Sequence, residues 1–348
     1  MKIIITGNMG YVGPGVVSQL RDTYPDAELI GFDTGYFAKC LTNPLFLPEN
    51  KLSRQEFGDV RAFPDELLEG VDGVVYLAAI SNDPMGNKYE EITMDVNYRA
   101  AVKLAEKARA KGVGSFVFAS SCSMYGEADD LAKVETDKLN PLTAYARSKV
   151  YAERDLQPLA NENFTITSLR FATACGFSYR LRLDLVLNDF LAGAVTSNEL
   201  SILSDGTPWR PLINVLDMAR AIDWAIARKK ENRGEFLAVN TGSNVWNYQV
   251  KELADAVAEV VPGVKVSVNP DAPPDKRSYK VNFDLFKEIA PDHQPIHDLK
   301  SSIQALYDNL SAMGFDDKNY RESHLTRLSV LNVLQENNYL NSNLEWTW

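Results

Sequence analysis

Residues 1–15 of the chain, MKIIITGNMGYVGPG, join an apolar stretch directly to a glycine turn. The apolar stretch Lys2–Thr6 predicts a buried strand, and Gly7, Gly10 and Gly13 follow it. Gly7 would permit the tight turn, Gly10 would let a pyrophosphate approach the backbone, and Gly13 would allow a helix to pack closely on the sheet. The helix N-terminus would then offer free N–H groups to the phosphates. Because the spacing is G-x-x-G-x-x-G, a plain glycine turn explains the motif equally well when it is taken alone.

Asp33 favours the nucleotide-binding interpretation of the glycine turn. It ends the second predicted strand, twenty residues beyond Gly13. A carboxylate at this place would bind the hydroxyls of an adenine ribose. It would repel a 2′-phosphate, and the next two residues supply no cation, so NAD is favoured over NADP. Asp59 and Val60 follow a third apolar stretch and are placed to border the adenine, although a solvent-exposed loop acid explains Asp59 nearly as well.

Strand-like and helix-like stretches alternate through the first half of the chain. The predicted strands are Lys2–Thr6, Glu28–Phe32, Gly73–Leu77, Ser115–Ala119 and Thr165–Leu169. The predicted helices between them are Pro14–Thr23, Thr93–Lys111 and Ala144–Asn161. Apolar strands that alternate with helices indicate an α/β fold with a Rossmann-type, doubly wound parallel sheet.

The regular pattern weakens after about residue 170. We therefore expect residues 1–169 to form an NAD-binding Rossmann domain, which part of 212–245 would also join. Residues 170–348 would form mainly a smaller, irregular substrate-binding lobe, with a helix at Tyr248–Val260, and a C-terminal tail. Leucines at helical spacing from Leu325 to Leu334 indicate that the tail contains a docking helix or an oligomer contact.

Composition excludes several classes of protein. The net charge of −11 argues against a nucleic-acid partner, and no apolar run approaches the roughly 20 residues that span a bilayer. The three cysteines are far apart and the three histidines fall in the last sixth of the chain, so no metal site is expected. These features, with an N-terminus that starts directly in a strand, predict a cytoplasmic enzyme.

Tyr145 and Lys149, in the run TAYARSK, would project from one face of a helix because they are four residues apart. An ammonium held there would favour the phenolate of a tyrosine that otherwise titrates near pH 10. Such a tyrosine can take or give the proton of a sugar or alcohol hydroxyl while a hydride moves to a nicotinamide. The spacing is common by chance, so its meaning depends on the glycine turn and Asp33.

Five motifs in sequence order carry a resemblance to a known family. They are TGNMGYVG at Thr6–Gly13, Asp33, YLAA at Tyr76–Ala79, SSCSMYG at Ser120–Gly126 and YARSK at Tyr145–Lys149. On these motifs the chain resembles the extended short-chain dehydrogenase/reductases, and within them the NAD-dependent nucleotide-sugar epimerase/dehydratase group. The resemblance extends from Met1 to roughly Tyr279 and implies an NAD cofactor, a nucleotide-diphosphate sugar as substrate and a homodimer built on the helices Thr93–Lys111 and Ala144–Asn161.

The resemblance also implies a role for each matching residue. Tyr145 would be the catalytic acid/base, Lys149 would bind the nicotinamide ribose and lower the tyrosine pKa, and Ser121 would hydrogen-bond the reacting sugar oxygen. Besides Lys149, the residues implied to contact NAD are Gly7, Met9, Gly10, Tyr11, Val12, Gly13, Asp33, Asp59, Val60, Leu77, Ala78, Ala79 and Asn97. Besides Ser121, the residues implied to contact the substrate are Ser123, Thr173, Arg180, Asn188, Arg210 and Arg277, with Arg182 as a further candidate. Plain alternatives are a capping serine for Ser121, a helix-surface amide for Asn188 and a solvated guanidinium for Arg180.

The chain departs from the family pattern at two places. Dehydratases of this group carry an Asp-Glu pair directly after the Ser121 position, where this chain has Cys122 and Ser123. Neither side chain is a competent general acid for water loss at neutral pH, which disfavours 4,6-dehydration. Thr173 replaces an Asn that faces the sugar nucleotide in many relatives, so the hexose pocket is expected to differ.

Three functions are compatible with these features. The favoured one is an NAD-dependent 4-epimerase of a nucleotide-diphosphate sugar, which acts through a transient 4-keto sugar. The second is a one-way dehydrogenase or 4-ketoreductase that uses the same Tyr–Lys pair. The third is a non-catalytic NAD-binding protein, which the intact pair disfavours.

Overall fold

The structure is a computed structural model that describes residues 1–127, 131–202, 204–268 and 278–348. The strands are β1 Lys2–Thr6, β2 Glu28–Asp33, β3 Arg54–Phe57, β4 Gly73–Tyr76, β5 Ser115–Ser121, β6 Thr165–Phe171, β7 Thr173–Cys175, β8 Glu199–Ile202, β9 Trp209–Asn214, β10 Phe236–Thr241, β11 Asn247–Gln249 and β12 Lys265–Val268. The α-helices are α1 Gly13–Thr23, α2 Asp83–Lys88, α3 Glu90–Met94, α4 Ala100–Ala110, α5 Ala144–Leu156, α6 Val186–Ser197, α7 Val215–Ala227, α8 Val250–Val260, α9 Asp284–Ile289, α10 Leu299–Ala312 and α11 Arg327–Glu336.

Seven of the described strands form one sheet in the order β10-β6-β5-β4-β1-β2-β3, and every neighbouring pair in it is parallel. The strand order reverses between β1 and β4, which is the switch point where doubly wound folds bind their ligands. The sheet confirms the predicted α/β fold. It extends past residue 169, because β10 pairs with β6 along its whole length.

Side chains that alternate along the central strands form a core on both faces of the sheet. Ile3 and Ile5 pack on the face that α1 and α7 cover, whereas Ile4 packs on the face that α4 and α5 cover. All three isoleucines are fully buried, as expected for a parallel strand between two layers of helices.

The predicted helix Thr93–Lys111 differs from the observed one in its regularity. The helical stretch begins at Glu90, and a π-helical turn at Asp95–Arg99 separates α3 from α4. The side chain of Asn97 lies in this turn and bonds both the N–H and the C=O of Ile80, at 2.8 and 2.9 Å. The helix deforms where Asn97 reaches the chain segment that follows β4.

Two other helices are shorter than predicted. The helix expected over Ala144–Asn161 ends at Leu156, because Pro158 lacks the N–H that an α-helix needs, and Gln157–Leu159 is a 3-10 turn. The helix expected from Tyr248 begins at Val250, since Tyr248 belongs to β11 and pairs with Arg210 of β9.

The second half of the chain contributes most residues of a separate hydrophobic cluster, which forms the core of the smaller lobe. Its centre is made by α6, α8 and α10, which contribute Leu191, Leu253 and Leu306, all of them fully buried. The C-terminal helix α11 returns to the first half, where Leu331 packs with Ile80 and Met85. Among the described residues, no helix combines the length and apolar character needed to cross a membrane.

Candidate functional site

A cavity of about 1010 Å³ lies at the carboxyl ends of the parallel strands, between the sheet and the smaller lobe. Its wall contains most of the residues predicted to contact NAD, namely Gly7, Gly10, Tyr11, Val12, Asp33, Asp59, Val60, Leu77, Ala78, Ala79 and Lys149. It also contains Tyr145, Ser121, Ser123, Thr173, Arg182 and Arg210. The structure therefore brings both predicted sets together in one space large enough for two small-molecule ligands.

The glycine turn approaches the next strands too closely to tolerate side chains. Gly7 has a φ of +72°, and a Cβ there would lie 2.5 Å from the backbone nitrogen of Ala78. A Cβ on Gly13 would lie 1.8 Å from the carbonyl oxygen of Asn8. The loop that precedes the helix thus requires a glycine at position 13, and the role of Gly13 in helix–sheet packing stays a prediction.

The Asp33 carboxylate connects the end of β2 to the glycine turn. It accepts hydrogen bonds from the backbone N–H of Met9, at 3.0 Å, and of Gly35, at 2.8 Å. Burial raises the pKa of the Asp33 carboxyl, and these two N–H groups oppose the increase. A glycine cradle, a helix N-terminus and a carboxylate at the end of β2 fit the pyrophosphate and ribose of a dinucleotide.

Three residues predicted to contact NAD do not line the cavity and contact other protein groups instead. Met9 is buried, and its backbone positions Asp33. Gly13 packs on Asn8, as described above. Asn97 is fully buried and bonds Ile80 and the hydroxyl of Ser148. These three residues therefore support the site through contacts within the protein, and their direct contact with NAD stays a prediction.

Asp59 lines the cavity, but its carboxylate already has partners. It accepts the backbone N–H of Arg61 at 2.8 Å and pairs with the Arg61 guanidinium. Val60 is buried at the same corner of the cavity. The acid fixes the turn that follows β3, and Val60 supplies apolar surface to the cavity.

Tyr145, Ser121 and Lys149 converge at the opposite end of the cavity. Tyr145 and Ser121 both line the cavity, where the Ser121 hydroxyl acts to lower the pKa of Tyr145, and Ser121 Oγ accepts the N–H of Ser123 at 3.1 Å. The Lys149 ammonium donates to the carbonyl of Ala119 at 2.7 Å and lies 5.5 Å from the centre of the Tyr145 ring. The arrangement follows from the helix, because residues four apart share one face of α5.

Burial governs the proton affinities of the pair. It lowers the pKa of Lys149 from 10.5 to about 7, and the carboxylate of Glu153 only partly opposes this. It raises the pKa of Tyr145, against the hydrogen bond from Ser121 and the positive charge of Arg182. The expected lowering of the tyrosine pKa by Lys149 is therefore not seen in the protein alone, where burial of the phenol outweighs the charge of a lysine that is only about half protonated at neutral pH.

The two positions that hold acids in dehydratases face in different directions. Cys122 is fully buried, and its thiol donates to the carbonyl of Arg170 at 3.0 Å. Burial raises the pKa of this thiol well above its ordinary range. Ser123 lines the cavity, and its buried hydroxyl has no hydrogen-bond partner among the described residues. The cavity therefore receives a neutral hydroxyl at this place and no carboxylate from either residue.

Two of the predicted substrate residues stabilise the protein. Asn188 is fully buried and bonds the N–H of Gly176, the hydroxyl of Tyr11 and the carbonyl of Arg182. Arg180 is 1% exposed and forms a bidentate ion pair with Glu49 at 2.9 Å. Both side chains are saturated by protein groups, which corrects their assignment to the substrate.

The other predicted substrate residues have different placements. Thr173 and Arg210 line the cavity, and Arg210 donates to the carbonyl of Trp209 at 2.9 Å. Arg182 also lines the cavity, where it pairs with Asp184 at 2.7 Å and donates to the Ser81 hydroxyl at 2.7 Å. Arg277 lies outside the described residues.

The C-terminal tail supplies residues that no motif in the sequence indicated. Arg321, Thr326, Arg327 and Leu328 line the cavity. Further along, the Trp346 indole donates to the carbonyl of Thr34 at 2.8 Å, directly after Asp33. Leucine spacing predicted a helix in the tail, but the place where it docks depends on contacts with residues more than 200 positions away, such as Tyr89 with Gln335.

Comparison with known proteins agrees with this geometry. The profile of the NAD-dependent epimerase/dehydratase family matches residues 3–242. An uncharacterised UDP-glucose epimerase of Bacillus subtilis, YtcB, is 30% identical over 70% of this chain and 77% of its own. A dTDP-glucose 4,6-dehydratase of Streptomyces griseus is 26% identical over 74% of this chain and 77% of its own.

Solved structures share the fold. That of TunA, an NAD-dependent NDP-hexosamine 5,6-dehydratase involved in tunicamycin biosynthesis, superposes with a TM-score of 0.77 at 22% identity, covering 91% of this chain and 99% of that one. The family match covers more than half of the chain, and the glycine cradle, Asp33 and the Tyr145–Lys149 pair lie within it. The chain belongs to the NAD-dependent epimerase/dehydratase family of enzymes.

Proposed function

We propose that the protein is an NAD-dependent 4-epimerase of a nucleotide-diphosphate sugar. The observation that carries this choice within the family is the chemistry next to Ser121. Tyr145 and Ser121 both line the cavity, while Cys122 is buried away from it and Ser123 offers only a hydroxyl. A site with one proton-transfer pair and no acid at either of these places suits oxidation and reduction of a hydroxyl better than elimination of water.

Each described residue would have a separate task in this reaction. Bound NAD would accept a hydride from the sugar and later return it. Tyr145 would take the proton of the C4 hydroxyl, and Ser121 would hold the same oxygen through its own hydroxyl. Lys149 would bind the nicotinamide ribose. Its ammonium, close to the Tyr145 ring, would also serve as a proton donor for Tyr145.

Return of the hydride to the opposite face requires that the keto sugar turn within the cavity. NAD and the sugar nucleotide would share the volume of about 1010 Å³, and a diphosphate held at the far end would keep the sugar from leaving while it turns. Arg210 lies on the cavity wall and is the described residue best suited to hold that diphosphate. Thr173, on the cavity wall, would contact the hexose, and its short side chain would enlarge the pocket relative to an Asn.

Incubation of the purified protein with a panel of nucleotide-diphosphate sugars tests this proposal. Proton NMR would follow the sugar while absorbance at 340 nm follows reduced cofactor. Conversion of one sugar into its C4 epimer, with no net reduced NAD, is the expected result. A 4-keto-6-deoxy product would indicate a dehydratase, and stoichiometric production or consumption of reduced NAD would indicate a one-way dehydrogenase or reductase. Either of these results would contradict the proposal.

A further inference from the structure

Arg327 is an almost completely buried guanidinium at the wall of the cofactor cavity. It is the first residue of α11, in the C-terminal tail, and is 2% exposed. Its side chain lies with its guanidinium carbon 4.8 Å from the centre of the Phe37 ring. One of its nitrogens, Nη2, donates to the carbonyl of Arg180 at 2.9 Å. The other terminal nitrogen, Nη1, has no hydrogen-bond partner among the described residues.

The buried arginines around Arg327 have carboxylate partners, and Arg327 has none among the residues that the structure describes. Arg180 is neutralised by Glu49, and Arg182 is neutralised by Asp184. Burial lowers the pKa of Arg327, and the positive charges of Arg182 and Arg180 add to this effect. An uncompensated buried charge is costly, so a protein that retains one generally uses it to bind something of opposite charge.

The position of Arg327 associates it with the cofactor half of the cavity. Phe37, on which it stacks, follows Asp33 by four residues on the chain segment that leaves β2. The charges of Arg182 and Arg327 also act on the phenol of Tyr11, which belongs to the glycine turn. Arg327 therefore lies near the groups that would surround the phosphates and adenosine of a dinucleotide. These groups belong to the beginning of the sequence, whereas Arg327 lies near its end.

We propose that the guanidinium of Arg327 binds the diphosphate of NAD, so that the C-terminal tail completes the cofactor site. The free Nη1 would donate to a phosphate oxygen, and the ligand would supply the negative charge that the protein does not. This inference depends on the NAD binding of the family and not on the proposed epimerase reaction. The sugar nucleotide would bring a second diphosphate into the cavity. The experiment below therefore measures binding of NAD and binding of UDP separately.

Three variants test the role of Arg327. Arg327→Met removes the charge and keeps much of the stem, and Arg327→Lys keeps a charge but loses the planar fork. Arg321→Met is the matched control, because Arg321 lies in the same tail and at the same cavity but is exposed and already paired with Asp189. Calorimetry on nucleotide-free protein would measure the Kd of NAD and, separately, of UDP. Thermal unfolding with and without NAD would measure stability.

A direct contact predicts that Arg327→Met raises the Kd of NAD by at least about tenfold, since a charge-assisted hydrogen bond is lost. Arg327→Lys should raise it by a smaller factor, and Arg321→Met by less than about twofold because Asp189 already screens that charge. The Kd of UDP should stay unchanged in all three. In Arg327→Met, the midpoint of thermal unfolding of the nucleotide-free protein should not fall, because an unpaired buried charge is removed. The increase of this midpoint on addition of NAD should be smaller than in the wild type.

Several results would overturn the proposal. One is an NAD affinity within twofold of wild type in both Arg327 variants. Another is an equal loss of NAD affinity in Arg321→Met, which would indicate a general electrostatic effect of positive charge and not a direct contact. A loss of UDP affinity with NAD affinity intact would assign the guanidinium to the sugar nucleotide. A fall of the nucleotide-free midpoint with NAD affinity retained would show that Arg327 only stabilises the tail.

Discussion

Tyr145 and Lys149 lie on a helix that packs against the sheet, and burial changes their proton affinities in opposite directions. The lysine pKa falls to about 7 and the tyrosine pKa rises, so at pH 7 the protein alone keeps the tyrosine neutral and the lysine about half protonated. Ser121 lies with the tyrosine on the cavity wall, and the Lys149 ammonium donates to the Ala119 carbonyl. The pair is therefore positioned before any ligand arrives, whereas its charge state depends on what binds beside it.

Tyr145→Phe should leave the Kd of NAD within about threefold of wild type and lower turnover by roughly 10² to 10⁴, because only the proton-transfer group is removed. Steady-state assays on the sugar that the panel identifies would measure this. Tyr151→Phe is the control, since Tyr151 lies on the same helix but does not line the cavity. Equal activity of the two variants would contradict the acid/base assignment.

Lys149→Met should change the pH dependence of stability. The pKa of Lys149 is 10.5 in the unfolded state and about 7 in the folded state. Between these values only the unfolded state binds the proton, so the free energy of unfolding of the wild type is highest above pH 10.5 and falls as the pH decreases to 7. The difference in free energy of unfolding between the variant and the wild type should favour the variant by about 2 kcal/mol more at pH 7 than at pH 9. Urea unfolding of nucleotide-free protein at the two pH values would measure it, and a pH-independent difference would contradict the low lysine pKa.

Asp33→Ser should reduce the preference for NAD over NADP by roughly tenfold or more, because it removes a negative charge from the ribose site and keeps an acceptor for the backbone N–H groups. The ratio of the two dissociation constants measures the preference. Asp26→Ser removes an equal charge at an exposed position before the same strand and should leave the ratio unchanged. An unaltered ratio in Asp33→Ser would argue against a ribose contact.

At the scale of elements, the structure depends on contacts that sequence patterns do not contain. The strand periodicity and the glycine turn predicted the central strands and α1, because these features are local. The π-helical turn at Asp95–Arg99 could not be predicted, since the partners of Asn97 lie 17 and 51 residues away. Likewise, Arg180 and Asn188 looked available in the sequence, and only their packing shows that Glu49, Gly176 and Tyr11 already satisfy them.

The C-terminal tail is attached by a small hydrophobic cluster whose stability can be tested. Leu344 is fully buried with Ile80, Leu331 and Leu340. Leu344→Ala should therefore lower the free energy of unfolding by roughly 2 to 3 kcal/mol. Val333→Ala, on the exposed face of α11, should change it by less than about 0.5 kcal/mol. Equal effects in denaturant unfolding would contradict the docked position of the tail.

At the scale of the whole molecule, the cavity is built from three separated parts of the chain. The sheet contributes the glycine turn and Ser121, the smaller lobe contributes Arg210, and the tail contributes Arg327. The sequence motifs indicated the first two parts, since these belong to the segment that resembles the family. The tail carries no motif, and the role that we propose for it rests on the buried position of Arg327 at the cavity wall.

The fate of a deuterium atom at C4 of the sugar distinguishes a 4-epimerase from a dehydratase and from a one-way dehydrogenase. Tyr145 is proposed to assist removal of hydride from C4 and its return to the same carbon, so the deuterium should appear at C4 of the epimer. NMR and mass spectrometry of the product would locate it. Deuterium at C6 of a 4-keto-6-deoxy sugar, or in released reduced cofactor, would contradict the 4-epimerase.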